Sequence, residues 1–126
     1  MIDCSLMPTM QRTERGTSGE DLAAKWLEGK GIKVLARNFR ARGGEVDIVA
    51  KDGDVLAFVE VKTGRSGAFG PPESWVTLRK RAHLVKAAQV YLAKNPWDGD
   101  VRFDVVAVEV GKCVKIRHIK DAFRPE

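Results

Sequence analysis

Asp47, Glu60 and Lys62 stand inside two otherwise apolar, strand-like runs, Gly44-Glu45-Val46-Asp47-Ile48-Val49 and Phe58-Val59-Glu60-Val61-Lys62. A charged group facing a core loses hydration that only a partner, a metal ion or a water-filled cleft replaces. Acids and a lysine in such runs therefore point to chemistry more strongly than surface charges do. Two carboxylates about 4–5 Å apart repel by roughly 3–4 kcal/mol at an effective dielectric of about 20. Protonation of one acid, an intervening Lys62 or a divalent cation relieves that repulsion, and only the last two use these residues as written at neutral pH. Asp47 and Glu60, as hard oxygen ligands, suit Mg²⁺ or Mn²⁺ with positions left for water and phosphate. No Cys/His set argues for zinc.

Whether these groups meet depends on the hairpin between the runs. Side chains alternate along a strand, so Glu60 and Lys62 share one face of their strand and Glu45, Asp47 and Val49 share one face of the other. Asp52-Gly53 reads as a two-residue type I′ turn, which pairs Lys51 with Asp54 and sets Asp47 opposite Phe58 and Glu45 opposite Glu60. Asp47, Glu60 and Lys62 then project to the same side. A three-residue loop would shift the register by one and send Asp47 to the other face. Glu20 adds a fourth group, since helical spacing places it on the stripe of Ala23, Ala24 and Leu27. A rotated helix would instead let Glu20 cap it or pair with a local arginine, and a structural reading of Glu60 pairs it with Lys62 or Arg102.

The elements that must position these residues follow from periodicity and turn signals. The spacing predicts a first helix from about Arg12 to Lys30, with Leu22 and Trp26 flanking its stripe and Gly29 or Gly31 closing it. Ile32 to Phe39 reads as a strand, Arg40-Ala41-Arg42-Gly43-Gly44 as a turn, Glu45 to Lys51 as the second strand and Val55 to Thr63 as the third. Thr63 to Pro72, rich in glycine and proline, reads as an exposed, mobile loop. A second helix is capped by Thr77, carries an inward stripe of Leu78, Ala82, Val85, Ala88 and Leu92, and ends at Asn95-Pro96. Trp75 reads as an anchor of the preceding loop in the core. Val101 to Val110 is a β-branched run typical of a strand buried on both faces, and Val114 to Ile119 alternates like an edge strand. The order is α-β-β-β-α-β-β, with the second helix long enough for a right-handed crossover that makes strands three and four parallel.

A chain of 126 residues fits one domain able to bury its own core. The expected divisions are a disordered lead over 1–11, a single domain over 12–120 and a tail over 121–126. Lys and Arg total 22 against 17 Asp and Glu, a formal charge of +5 that favours a polyanionic partner. Cys4 and Cys113 have no metal-ligand spacing and read as incidental thiols in a reducing cytoplasm. No run approaches a membrane span and no apolar leader precedes the domain, so the expected location is cytoplasmic.

At the residues singled out above, the chain resembles the PD-(D/E)XK nuclease superfamily, whose motif places an acid on the second core strand and Glu or Asp, any residue, and Lys on the third. Val46 stands where the superfamily's name has proline. More narrowly, Gly19-Glu20, Arg37-Asn38-Phe39-Arg40, Gly43-Gly44-Glu45-Val46-Asp47, Phe58-Val59-Glu60-Val61-Lys62 and Arg102-Phe103-Asp104-Val105-Val106 resemble the bacterial YraN-like family. That family is a largely uncharacterised group read as endonucleases and related in fold to archaeal Holliday-junction resolvases. The resemblance implies a restriction-endonuclease-like α/β core, a mixed central sheet flanked by helices. It also implies a divalent metal held by Asp47, Glu60 and the backbone carbonyl of Val61, with Lys62 orienting or helping to deprotonate the attacking water and Glu20 assisting. Resolvase relatives act as dimers, so a homodimer is part of the same expectation.

Arg79, His83 and Lys86 recur at helical spacing on the second helix with Lys80 and Arg81 beside them, while Arg37, Arg40 and Arg42 cluster before the acidic strand. Arg40, Arg42, Arg79, Lys80 and His83 are the candidate phosphate contacts, although a solvated helix face explains the helical set equally. The family often has a basic residue directly after the threonine of its loop. Here Gly64 intervenes and Arg65 is the candidate. Three readings follow: a Mg²⁺- or Mn²⁺-dependent DNA endonuclease, selective for branched or structured DNA; a nucleic-acid-binding protein that keeps the fold without cutting; and an interaction protein with an inert ion-pair network.

Overall fold

The computed structural model describes residues 18–125. The lead expected over 1–11 lies outside them. Helix α1 runs Gly19–Gly29, not from about Arg12, because Ser18 is its N-cap. The Ser18 hydroxyl accepts from the Asp21 amide at 3.1 Å and the Asp21 carboxylate accepts from the Ser18 amide at 3.2 Å, a reciprocal capping box. Gly31, with φ at +83°, turns the chain out of the helix.

Strands β1 (Lys33–Ala41), β2 (Gly44–Asp52), β3 (Val55–Arg65), β4 (Asp100–Val110) and β5 (Val114–Ile119) form one sheet in the order β1-β2-β3-β4-β5. Helix α2 (Leu78–Lys94) carries the chain from β3 to β4, which pair in parallel; the other neighbours are antiparallel. The element order and the parallel β3–β4 pair are those the periodicity predicts, and the sheet is mixed and flanked by two helices as the resemblance implies. Leu22, Ala23, Ala24 and Leu27 of α1 cover Ile48, Ala50, Ala57, Val59, Val106 and Val108 on one face. Leu84, Ala87, Ala88 and Tyr91 of α2 cover Val49, Leu56, Phe58, Phe103, Val105 and Ala107 on the other. β4 is buried on both faces, as its β-branched run implies.

Several local expectations change. Asp52 pairs with Val55 and Lys51 with Leu56, so the tight turn is Gly53-Asp54 and not Asp52-Gly53. Gly53 alone of the two takes positive φ, +60°, as a II′ turn requires of its first central residue. The register moves by two residues, so the hairpin still brings together the expected faces of β2 and β3. The first hairpin is also tighter than expected: Ala41 pairs with Gly44, leaving Arg42-Gly43 as its turn.

β3 continues through Arg65, paired to Val110, where a loop was expected from Thr63. Leu78 is 80% exposed and Ala82 is also exposed, so the inward stripe of α2 is Leu84, Ala87, Ala88 and Tyr91. The aromatic ring decides this rotation: Tyr91 makes edge contacts with Phe39 and Phe58, at 5.3 and 5.7 Å between centroids. Gly44 permits the close approach, since a Cβ there would collide with the His83 carbonyl and the Ala87 amide.

Trp75 is buried, as expected, and donates its indole N–H to the Gly70 carbonyl at 2.8 Å. The segment set apart as a tail packs back onto the α2 face, where Phe123 stacks on Phe103 at 5.0 Å. Cys113 is disulfide-bonded, unlike the incidental thiol expected.

Candidate functional site

The ladder between β2 and β3 ends at Ile48 and Val59. Beyond it the Asp47 side chain takes over, accepting the Val61 amide at 2.8 Å. Arg37 and Ile48 pair on the α1 side, whereas Phe39 and Val46, two residues further along each strand, join the α2-side core. The alternation therefore breaks where Asn38 faces Asp47. Asn38 has φ of +53°, a left-handed conformation rare in a strand and tolerated best by Asn, Asp and Gly. This break places the Asp47 carboxylate within the influence of acids from both layers.

On the α2 side, Asp47 and Glu60 line a cleft of about 210 Å³ with Glu45, Val61, Lys80 and His83. Burial pushes the Asp47 carboxyl up to about 6; the Val61 N–H opposes the shift, while the charges of Glu60 and Glu20 add to it. Glu60 is 9% exposed and its carboxylate receives the Lys80 ammonium at 2.8 Å. That partner is neither Lys62 nor Arg102. Arg102 instead bridges Asp52 at 2.9 Å and Asp104 at 2.8 Å. Glu60 in turn holds the Lys80 ammonium above its ordinary pKa.

Glu20 reaches the site from α1. Its carboxylate accepts the Arg37 Nε–H at 2.9 Å and the Asn38 side-chain Nδ2–H at 3.0 Å. It is thus the arginine-paired acid of the rotated-helix reading and also a charge felt at Asp47. Gly19 lets α1 come down on β3, because a Cβ there would collide with the Thr63 side chain. Lys62 lies on the α2 side of β3 with its ammonium 5.3 Å from the centre of the Phe69 ring, and it is not among the groups lining the cleft.

The basic candidates divide. Lys80 and His83 line the cleft, and His83 and Glu45 also line an adjoining hollow with Arg40, whose guanidinium is 3.5 Å from the Glu45 carboxylate. Arg42 is exposed on the β1–β2 turn and Arg79 on the first turn of α2. Arg65 lies apart, beside Lys112 and Gly111 at the far end of β4. The sequence reading gave no role to Asn38, and assigned Lys80 to phosphate with no link to Glu60. An asparagine within a strand was the available signal for the first. For the second there was none, since the rotation of α2 selects the lysine.

Among the described residues, no three His, Cys, Asp or Glu side chains are grouped to hold a metal by side chains alone. Three carboxylates line the cleft, Glu45, Asp47 and Glu60, with the backbone of Val61; Glu45 is exposed and faces Arg40, which leaves Asp47 and Glu60 as the inner pair. Two mutually repelling hard-oxygen ligands, one of them desolvated, fit a divalent cation that keeps part of its water. A larger hollow of about 540 Å³ by Val55, Arg102, Phe103 and Phe123 has acids of another kind, since Asp100 and Asp121 are exposed and Asp121 is paired with Arg124 at 2.9 Å.

Fold and site together describe a mixed α/β protein with an acidic cleft where two central strands part. Residues 19–108 match the uncharacterised protein family UPF0102, and the chain belongs to that family. A UPF0102 protein of Geobacter metallireducens is 49% identical over 110 residues, covering 86% of this chain and 90% of the relative. One of Syntrophomonas wolfei is 51% identical over 113 residues, covering 87% and 97%. A third, of Chlorobium chlorochromatii, is 42% identical over 123 residues, covering 92% and 95%. No helix among the described residues is long and apolar enough to cross a membrane.

Proposed function

We propose that this protein is a metal-dependent DNA endonuclease with a PD-(D/E)XK core, hydrolysing phosphodiester bonds in branched or structured DNA. The observation that carries this reading is the convergence of Asp47 and Glu60 at the parting of β2 and β3, with Lys62 on the same side of β3 as Glu60. The element order, the parallel β3–β4 pair and the placing of the acids on β2 and β3 are in keeping with that core.

Asp47, Glu60 and the Val61 carbonyl would hold Mg²⁺ or Mn²⁺. When bound, such an ion neutralises charge on the scissile phosphate and lowers the pKa of its water. The Val61 amide orients the Asp47 carboxylate. Lys62, leaving its place over Phe69, supplies an ammonium beside the attacking water. His83 in the cleft and Arg40 in the adjoining hollow, with the exposed Arg42 and Arg79, would be the contacts for phosphates.

The test incubates plasmid, single-stranded, flapped and four-way-junction DNA with Mg²⁺ or Mn²⁺. Cleavage is expected on at least one substrate, with a loss of about 100-fold or more in Lys62→Ala. Activity retained by both Asp47→Ala and Lys62→Ala would sink the reading. The second reading, a protein that binds nucleic acid without cutting, is favoured by one feature: Glu60 is already neutralised by Lys80. It predicts salt-sensitive DNA binding with no cleavage of any of these substrates.

A further inference from the structure

We infer that Lys80 is the resident counter-ion of the acidic cleft, displaced by a divalent cation and thereby freed to hold a DNA phosphate. The inference rests on the metal-centre reading above and adds to it a residue that links metal to substrate.

Lys80 sits in the first turn of α2, where its amide donates to the capping Thr77 hydroxyl at 3.2 Å. The helix anchors its backbone and leaves its long side chain free. That side chain is 59% exposed, whereas the Glu60 carboxylate it meets at 2.8 Å belongs to a side chain only 12% exposed. An exposed cation on a flexible stem therefore neutralises a largely buried acid. The attraction reaches past Glu60, because Asp47 and Glu45 also act on the same ammonium.

No other cation is in position to do this among the described residues that line the cleft, apart from His83 when protonated. Arg37 is committed to Glu20 and Asp21, and Lys62 lies over Phe69. A divalent ion on Asp47 and Glu60 would stand beside the Lys80 ammonium and repel it, and Lys80 has solvent to move into. Its release leaves it at the cleft it lines, where a phosphate bound at the metal would attract it. Metal binding and DNA binding are thereby coupled through one side chain, and each favours the other.

The test is a calorimetric titration of DNA-free protein with Mn²⁺ at pH 7.5, comparing the native chain with Lys80→Met and Lys80→Arg, with circular dichroism confirming the fold of each. Removing the resident cation should tighten Mn²⁺ binding roughly three- to tenfold in Lys80→Met, and Lys80→Arg should not tighten it. In parallel, fluorescence anisotropy of labelled junction DNA with and without Ca²⁺ should show the gain from the ion shrinking in Lys80→Met. Equal Mn²⁺ affinity in the native chain and Lys80→Met overturns the Lys80 inference and leaves the metal centre standing. No Mn²⁺ binding by either protein overturns the metal centre, and the inference with it.

Discussion

The Asp47 carboxylate accepts the Val61 amide at 2.8 Å, so a side chain of β2 occupies the place where the β2–β3 ladder would otherwise continue. One carboxylate oxygen is thereby committed to the backbone. The contact ties the acid of one strand to the residue between Glu60 and Lys62 on the next.

Asp47 should cost the metal-free fold stability. Burial raises its carboxyl from 3.8 to about 6, so the folded state holds the proton more tightly than the unfolded chain does. The associated stabilisation is fully present below about pH 4 and is lost as pH rises through about 6. Asp47→Asn, which can still accept the Val61 amide, is expected to stabilise the metal-free protein by about 2–3 kcal/mol at pH 7.5. Urea denaturation from pH 4 to 8 checks this, and the gain should fade toward the acid end. A destabilised Asp47→Asn at pH 7.5 contradicts the buried, like-charged setting described.

Asn38 should tolerate glycine and resist β-branching. Its φ of +53° suits Asn and Gly, whereas Val or Thr is strained there. Asn38→Val is expected to cost about 1–3 kcal/mol, with Asn38→Gly costing less. Both lose the hydrogen bond to Glu20. If Glu20 assists the site, cleavage should fall in both variants, while only Asn38→Val shows a large shift in the denaturation midpoint.

Asp104 should be a structural acid. It is fully buried on β4 and bonded to Arg102 at 2.8 and 2.9 Å, to His118 at 2.8 Å and to the Asp121 amide at 3.0 Å. Burial alone would raise its pKa, but His118, Arg102 and the Asp121 N–H together hold it below the usual carboxylate value. Its contribution is therefore present above about pH 4 and lost as pH falls through the depressed value. Asp104→Ala leaves Arg102 with Asp52 alone, removes the acceptor of its Nε–H and the partner of the His118 ring, and is expected to cost about 3–5 kcal/mol. Calorimetric melting at pH 7 measures the loss, and a change below 1 kcal/mol would contradict it.

Arg79 should contribute to DNA binding through charge alone. It is exposed on the first turn of α2, beside the cleft-lining Lys80. Arg79→Ala is expected to weaken binding to all DNA substrates alike and to reduce the salt slope by about 1. Anisotropy titrations across a range of salt read both. Weakening confined to one DNA structure would assign Arg79 a recognition role instead.

Element order was legible in the chain because apolar periodicity and turn residues are local signals. The run Val101 to Val110 reads as a doubly buried strand, Thr77 caps α2 as expected, and α2 is long enough to make β3 and β4 parallel. The hairpin turn was misplaced by one residue, since Asp52-Gly53 and Gly53-Asp54 both satisfy a turn rule. The error did no damage to the site because a two-residue register shift conserves faces.

Alternation along β3 already put Glu60 and Lys62 on one face, and this follows from strand geometry alone. Which cation answers which acid required the tertiary structure. Lys80 meets Glu60 because Tyr91, wedged against Phe39 and Phe58, sets the rotation of α2, and Arg37 meets Glu20 because Gly19 and the Ser18 cap set the seat of α1. Backbone periodicity is local, but charge pairing depends on angles between packed layers. The acids were therefore readable in the chain, and their partners only in the fold.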